Sequence, residues 1–133
     1  MLLLQQAYNS ATAGRIQGLF NIHNNSKGNG PYDFGWNAET EHDTWTRCGV
    51  TMDADHFANY VAGFQGAAYD SEFFWTAGWR GEMLVEGAGI FYHLTGKTKA
   101  INDPFDATGL PMIHAGEGDG WDFPDKSGCG CNQ

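Results

Sequence analysis

Apolar side chains recur at helical spacing in three parts of the chain. Near the start, Leu3, Ala7, Ala11, Ile16 and Leu19 fall on one side of a helix over residues 2–20. In the middle, MDADHFANYVAGFQGAAYD puts Phe57, Tyr60, Val61, Phe64 and Ala68 on one stripe. Thr51 is placed to cap it, with Asp53 and Asp55 in the first turn, where the helix dipole favours anions. Ser71 then caps a further helical segment, EFFWTAGWRGEMLVEGAGIFYHLTG. Its stripe is Phe74, Ala77, Gly81, Leu84, Val85, Ala88 and Phe91, and its stop is Gly96.

The rest is irregular. Asn21 to Gly35 reads as a loop, and no period emerges over residues 36–50. After residue 100, Asn-Asp-Pro and Gly-Leu-Pro are turn chemistry, followed by one short helix near Met112 and an irregular tail. The pattern predicts one small, mainly α domain over residues 1–133, with long loops; a lysozyme-like α+β arrangement is the alternative. Gly63, Gly66 and Ala67 admit a neighbouring backbone, at about 1 kcal/mol of helix propensity per glycine. The two glycine-studded central helices are therefore expected to pack face to face.

Charge narrows the function. A net charge of −9 with only seven Lys and Arg, dispersed, lacks the basic patch on which nucleic-acid binding depends. Nucleic acid is not the expected partner, although an acidic enzyme with a small local site can still cut RNA. Five Trp, five Tyr and nine Phe with few cations suit neutral, ring-stacking ligands such as sugars; the same rings also serve a small core. Nothing approaches the roughly 20 apolar residues of a membrane span, so no membrane partner is expected. Met1-Leu-Leu-Leu-Gln-Gln is too short for a signal core; if the protein is exported, its address was removed or lies on a larger parent chain. The abrupt start reads as that of a single catalytic domain excised from such a chain. Cys129 and Cys131 lie too close for an easy mutual bridge. A disulfide from one of them to Cys48 would staple the tail; zinc is the alternative, but the second pair of ligands is missing.

The carboxylates supply candidate chemistry. In KGNGPYDFGW, Asp33 stands between Tyr32 and Phe34 with Trp36 close behind, an apolar setting that would hold its proton. Pro104 fixes a turn presenting Asp103 and Asp106, the expected opposite wall. Each acid also has a plain structural use, Asp103 in an Asx-turn and Asp106 as an N-cap. Two facing carboxyls can hydrolyse a glycosidic bond. Glu41, within AETEHDTW, is a second candidate acid. Trp36 and Tyr60 would stack on sugar rings, Asn59 would bond an N-acetyl group or hydroxyl, and His114 lies near the same site. Glu82 and Glu86 share a helix face that His93 continues, a set that could bind a metal but more commonly forms a solvated face. GEGDGWD lacks the frame of a calcium loop. No metal and no cofactor are expected.

GPYDFG, HFANYVAGFQGAAYD, EGAGIFYHLTG, NDPFD and IHAGEGDGWDF together resemble the type 44 domain of bacterial polymorphic toxins, over roughly residues 28–120. The resemblance marks Asp33, Asn59, Gly63, Asp103, Pro104 and Asp106. Two positions depart: Ala58 stands for a glycine and Asn102 for an aspartate, so any acid at the second position is missing here. The resemblance implies a secreted antibacterial hydrolase, with an immunity or inhibitor protein as a partner, acting on cell wall or nucleic acid. With the charge balance, the expected activity is a muramidase-like glycosidase acting on bacterial cell-wall polysaccharide. Asp33 or Glu41 would be the acid, and Asp103 or Asp106 the nucleophile or base. A toxin ribonuclease using His114 and a non-catalytic carbohydrate-binding module are the other readings.

Overall fold

The computed structural model of the chain describes residues 2–27, 30–47, 49–77, 81–87 and 109–123. They form a mainly helical domain with one small sheet. In order come α1 (Leu2–Ala11), α2 (Arg15–Ser26), β1 (Thr44–Arg47), β2 (Val50–Asp53), α3 (Ala54–Ala77), helical residues 81–87 (α4) and α5 (Gly109–Asp122). The NDPFD turn, His93, Gly96 and all three cysteines lie outside the described residues, and with them the expected disulfide.

The expected stripe of α3 is its buried face: Phe57, Tyr60, Val61, Phe64 and Ala68 are all in the core. α5 packs along it more extensively than α1, α2 or the strands do. The glycine-rich GEGDG, which falls in the stretch expected to be an irregular tail, is inside that helix. Close approach explains both facts. A Cβ at Gly63 would strike the carbonyl oxygen of Ile113. One at Gly116 would strike the carbonyl of Tyr60, and one at Gly120 that of Phe64. Backbone meets backbone along this seam, and dispersion between the closely packed chains offsets the roughly 1 kcal/mol that each glycine costs a helix. Gly66 and Gly81 repeat the arrangement between α3 and α4, each leaving no room for a Cβ on the other.

Helix boundaries differ from the sequence pattern for local reasons. Asp53, not Thr51, caps α3: its Oδ1 accepts the His56 N–H at 2.8 Å, while Thr51 pairs within the sheet. Ser71 caps nothing, because α3 runs through it to Ala77 with one non-helical residue, Phe73 (φ −111°, ψ 16°). The fully buried Asp70 ties the helical segment 81–87 to α3: its carboxylate accepts the N–H groups of Gly81 (2.7 Å) and Glu82 (3.0 Å). The helix expected over residues 2–20 is two. It breaks where the Thr12 hydroxyl bonds the Tyr8 carbonyl (2.8 Å) and Gly14 is extended. Leu4, Ala7 and Ala11 are buried, but Ile16 is 73% exposed. α2 then continues to Ser26 through the segment that reads as a loop, and polar bonds hold it. Asn21 donates to the Ser10 carbonyl and the fully buried Gln65 amide donates to Ser26 Oγ, each at 2.8 Å.

β1 and β2 pair antiparallel with Trp45 opposite Met52, and Gly49 just before β2 has φ 77°, a left-handed conformation that favours glycine. Trp45 stacks on Phe57 (centroids 4.6 Å apart), and Phe34 packs against both rings at 5.1 and 5.3 Å. The aromatic loop at residues 30–36 is thereby anchored on the α3 end of the core.

The seam makes opposite predictions for two glycines of one helix. Gly116→Ala should lower stability by about 3 kcal/mol, the upper range for overpacking. Gly118→Ala, where an added Cβ meets nothing within 4 Å, should raise it by up to about 1 kcal/mol through helix propensity. Urea unfolding of both variants checks this, and equal effects would rule out the backbone seam.

Candidate functional site

α4 and α5 lie side by side and run in opposite directions, with Glu82 meeting Trp121 and Glu86 meeting His114. As their spacing predicts, Glu82 and Glu86 share a face of α4. On α5, His114, Glu117 and Trp121 succeed one another by one helical turn, beside the Ile113, Gly116 and Gly120 edge that packs on α3. Glu117 sits on the border of that packed edge, so its side chain is only 8% exposed, against 56% for His114. Glu86 is half-buried.

The His114 Nδ1 atom faces two carboxylates, with Glu117 Oε1 at 2.7 Å and Glu86 Oε1 at 3.5 Å. The other Glu117 oxygen, Oε2, is buried and has no hydrogen-bond partner among the described residues. One donor atom from each of Glu86, His114 and Glu117 lies within 4.8 Å of the other two, so these three residues could hold a cation.

Burial pushes the Glu117 carboxyl up to about 7; the Glu82 and Glu86 charges push the same way, against the hydrogen bond from His114. That hydrogen bond raises His114 in turn. Glu82 is raised by burial, against a bond from Trp121 Nε1 at 2.5 Å. A carboxyl that keeps its proton near neutrality, beside further acids and an imidazole, is equipped for proton transfer. Nearby, Asp119 accepts bonds from the Tyr60 hydroxyl and from Arg47 Nε (3.2 Å), tying α3 and β1 to α5. Burial, then that bond, raises the Tyr60 phenol.

The sequence-predicted residues divide. His114 is at the centre of the cluster. Asp103 and Asp106 lie outside the described residues, and so does any pairing of Asp33 with them. Asp33 is half-buried in a turn, its N–H donating to the Gly30 carbonyl at 3.0 Å; Phe34 beside it is core, and Trp36 is 51% exposed. Glu41 is exposed next to His42, and Asn59 is half-buried on α3. Tyr60 is 3% exposed and stacked on Phe57, so it is a core residue that presents no ring face to a sugar. Glu117, Trp121 and Asp70 were not visible as site residues. The available signal was the i, i+4 spacing of Gly116 and Gly120, which makes GEGDG a helix edge and carries Glu117 with it.

Glu117 holds a proton in the folded state at pH values where the unfolded chain has released it. Folding therefore takes up a proton between about pH 4.5 and 7, and stability falls as pH rises through that window. His114, also raised, adds stability that is complete below its ordinary 6.5 and is lost as pH rises through its folded value. Moving a carboxyl from 4.5 to about 7 is worth on the order of 3 kcal/mol. Melting curves from pH 4 to 8 should show Glu117→Gln gaining on the parent chain by that order as pH rises, and parallel curves would contradict the buried acid. No family model, curated protein or solved structure matches the chain.

Proposed function

We propose that this domain is a secreted hydrolase of bacterial cell-wall glycan that works by paired carboxylates, with the pair on α4 and α5. The observation that carries the reading is the Glu117 carboxyl, buried and held up to about 7 beside Glu86 and Glu82. Glycoside hydrolysis needs one acid that retains its proton and one ionised partner. Glu117 supplies the first and Glu86 is its neighbouring carboxylate, with one oxygen of each within 4.8 Å of the other. That places the two carboxylates near the short end of the range of about 5–9.5 Å over which paired carboxyls work on a glycosidic bond. Trp121, 37% exposed and bonded to Glu82, offers an indole at the rim for a sugar ring. The toxin-domain resemblance supports secretion, antibacterial action and an immunity partner. Asp33, with Asp103 or Asp106, stays in the proposal as a second acidic wall.

A ribonuclease is the second reading, favoured by the 2.7 Å contact between His114 Nδ1 and Glu117 Oε1, a ready acid–base pair. The Glu82 and Glu86 carboxylates beside that pair repel a phosphodiester, and the net charge of −9 opposes RNA approach. The glycan reading is therefore preferred.

The test is clearing of bacterial cell walls by the purified chain, run beside degradation of total RNA. Wall turbidity should fall, and activity should decline as pH rises past about 7, where Glu117 loses its proton. Glu117→Gln and Glu86→Gln should each lose about 100-fold or more, the usual worth of a positioned acid or base. RNA degradation abolished by His114→Ala, with walls left intact, would refute the glycosidase. Sugar binding without any turnover would leave only a binding module.

A further inference from the structure

The geometry points to a divalent transition-metal site at Glu86, His114 and Glu117, taking Zn2+ in preference to Mn2+ and excluding Mg2+. Zinc lies about 2.0–2.2 Å from nitrogen and oxygen ligands, so tetrahedral donors stand about 3.3 Å apart. The two carboxylate oxygens lie at 2.7 and 3.5 Å from His114 Nδ1, on either side of that spacing. Bringing those two contacts to that spacing takes shifts of about 0.6 and 0.2 Å. The two carboxylates lie within 4.8 Å of each other, and His114 and Glu86, 56% and 35% exposed, have side-chain freedom to close the remainder.

A triad of two acids and one histidine on a helical surface is common without a metal. Here a second observation distinguishes it. Glu117 is 8% exposed, one of its oxygens is already in the triad, and the other is buried without a partner among the described residues. A carboxylate oxygen left unsatisfied in a buried position costs about 1–3 kcal/mol or more, and a cation that engages both Glu117 oxygens removes that cost. The exposed His114 and half-buried Glu86 leave an access route from solvent, and the packed edge of α5 fixes the third ligand. Glu82, held by Trp121, stands close enough to add negative charge to the site.

Ligand chemistry selects the ion. One imidazole with two carboxylates suits Zn2+ and Mn2+, with Zn2+ above Mn2+ in the general affinity order. Mg2+ demands oxygen ligands in octahedral array and is disfavoured by the nitrogen. Binding requires Glu117 ionised and His114 neutral, so protons compete with the metal. The inference is independent of the hydrolase reading, because binding alone is measured.

The experiment is calorimetric titration of Zn2+ into the full chain at pH 7.5, repeated with Mn2+, Mg2+ and, as a spectroscopic probe, Co2+. One Zn2+ should bind per chain, with proton release visible as a buffer-dependent heat, and Co2+ should show visible bands without a thiolate charge-transfer band. Loss of a ligand should weaken Zn2+ by about 100-fold or more, above the 10–100-fold typical of outer-shell changes, in both Glu117→Gln and Glu86→Gln. Glu86→Gln serves as the variant least able to disturb folding, and circular dichroism of each variant should match the parent. Zn2+ binding that survives both variants, or that vanishes only when Cys48, Cys129 and Cys131 are all changed to serine, would overturn the site. So would no Zn2+ binding at millimolar concentration.

Discussion

The backbone contact between α3 and α5 governs the rest of the structure. Gly63, Gly116 and Gly120 remove the side chains that would otherwise hold the two helices apart, so the carbonyls of Ile113, Tyr60 and Phe64 occupy the space a Cβ would need. Gly66 and Gly81 bring α4 into the same assembly. Helices that approach this closely leave little room at their borders. Glu117, one residue past Gly116, is thus pressed out of solvent while Glu82 and Glu86 face it from α4. The buried acid is a consequence of the glycine seam.

A carboxyl in that position has two ways to relieve its burial: keep a proton or accept a cation. The proton-bound form is the one a hydrolase of glycosidic bonds needs, and the metal-bound form has no acid to donate. Both use Glu117 Oε1 and His114 Nδ1, so they exclude each other, and pH and metal supply would set which form prevails. The Asp70 carboxylate and the Asp119 knot work at a different level. Asp70 ties α4 to α3 by bonding the N–H groups of Gly81 and Glu82, and Asp119 binds Tyr60 and Arg47. Together they fix where Glu82 and Glu117 stand without taking part in the chemistry proposed for them.

Much of the fold was legible in the sequence. The stripe of α3, the use of small residues for close approach, and the shared face of Glu82 and Glu86 follow from spacing alone. Other features were not, and for identifiable reasons. Three glycines within GEGDG argue for a turn by local propensity, but tertiary contact at Gly116 and Gly120 outweighs propensity here. The hairpin is not legible because each strand has only four residues and the face shared by Trp45, Arg47, Val50 and Met52 carries a charge and an exposed valine, too short and mixed a pattern to establish a period of two. Asp33 drew attention because it stands among rings; those rings belong in part to the core, where Phe34 packs on Phe57 and Trp45. Glu117 is indistinguishable in sequence from the neighbouring acids Asp119 and Asp122, because its burial arises from a helix pair that no single segment encodes.

The direct test of the buried acid is a carbon-13 NMR titration of the Glu117 side-chain carboxyl in the metal-free chain. A midpoint near 7, with the His114 ring shifting in the same pH range, is the predicted result. A midpoint near the ordinary 4.5, with His114 titrating independently, would contradict it.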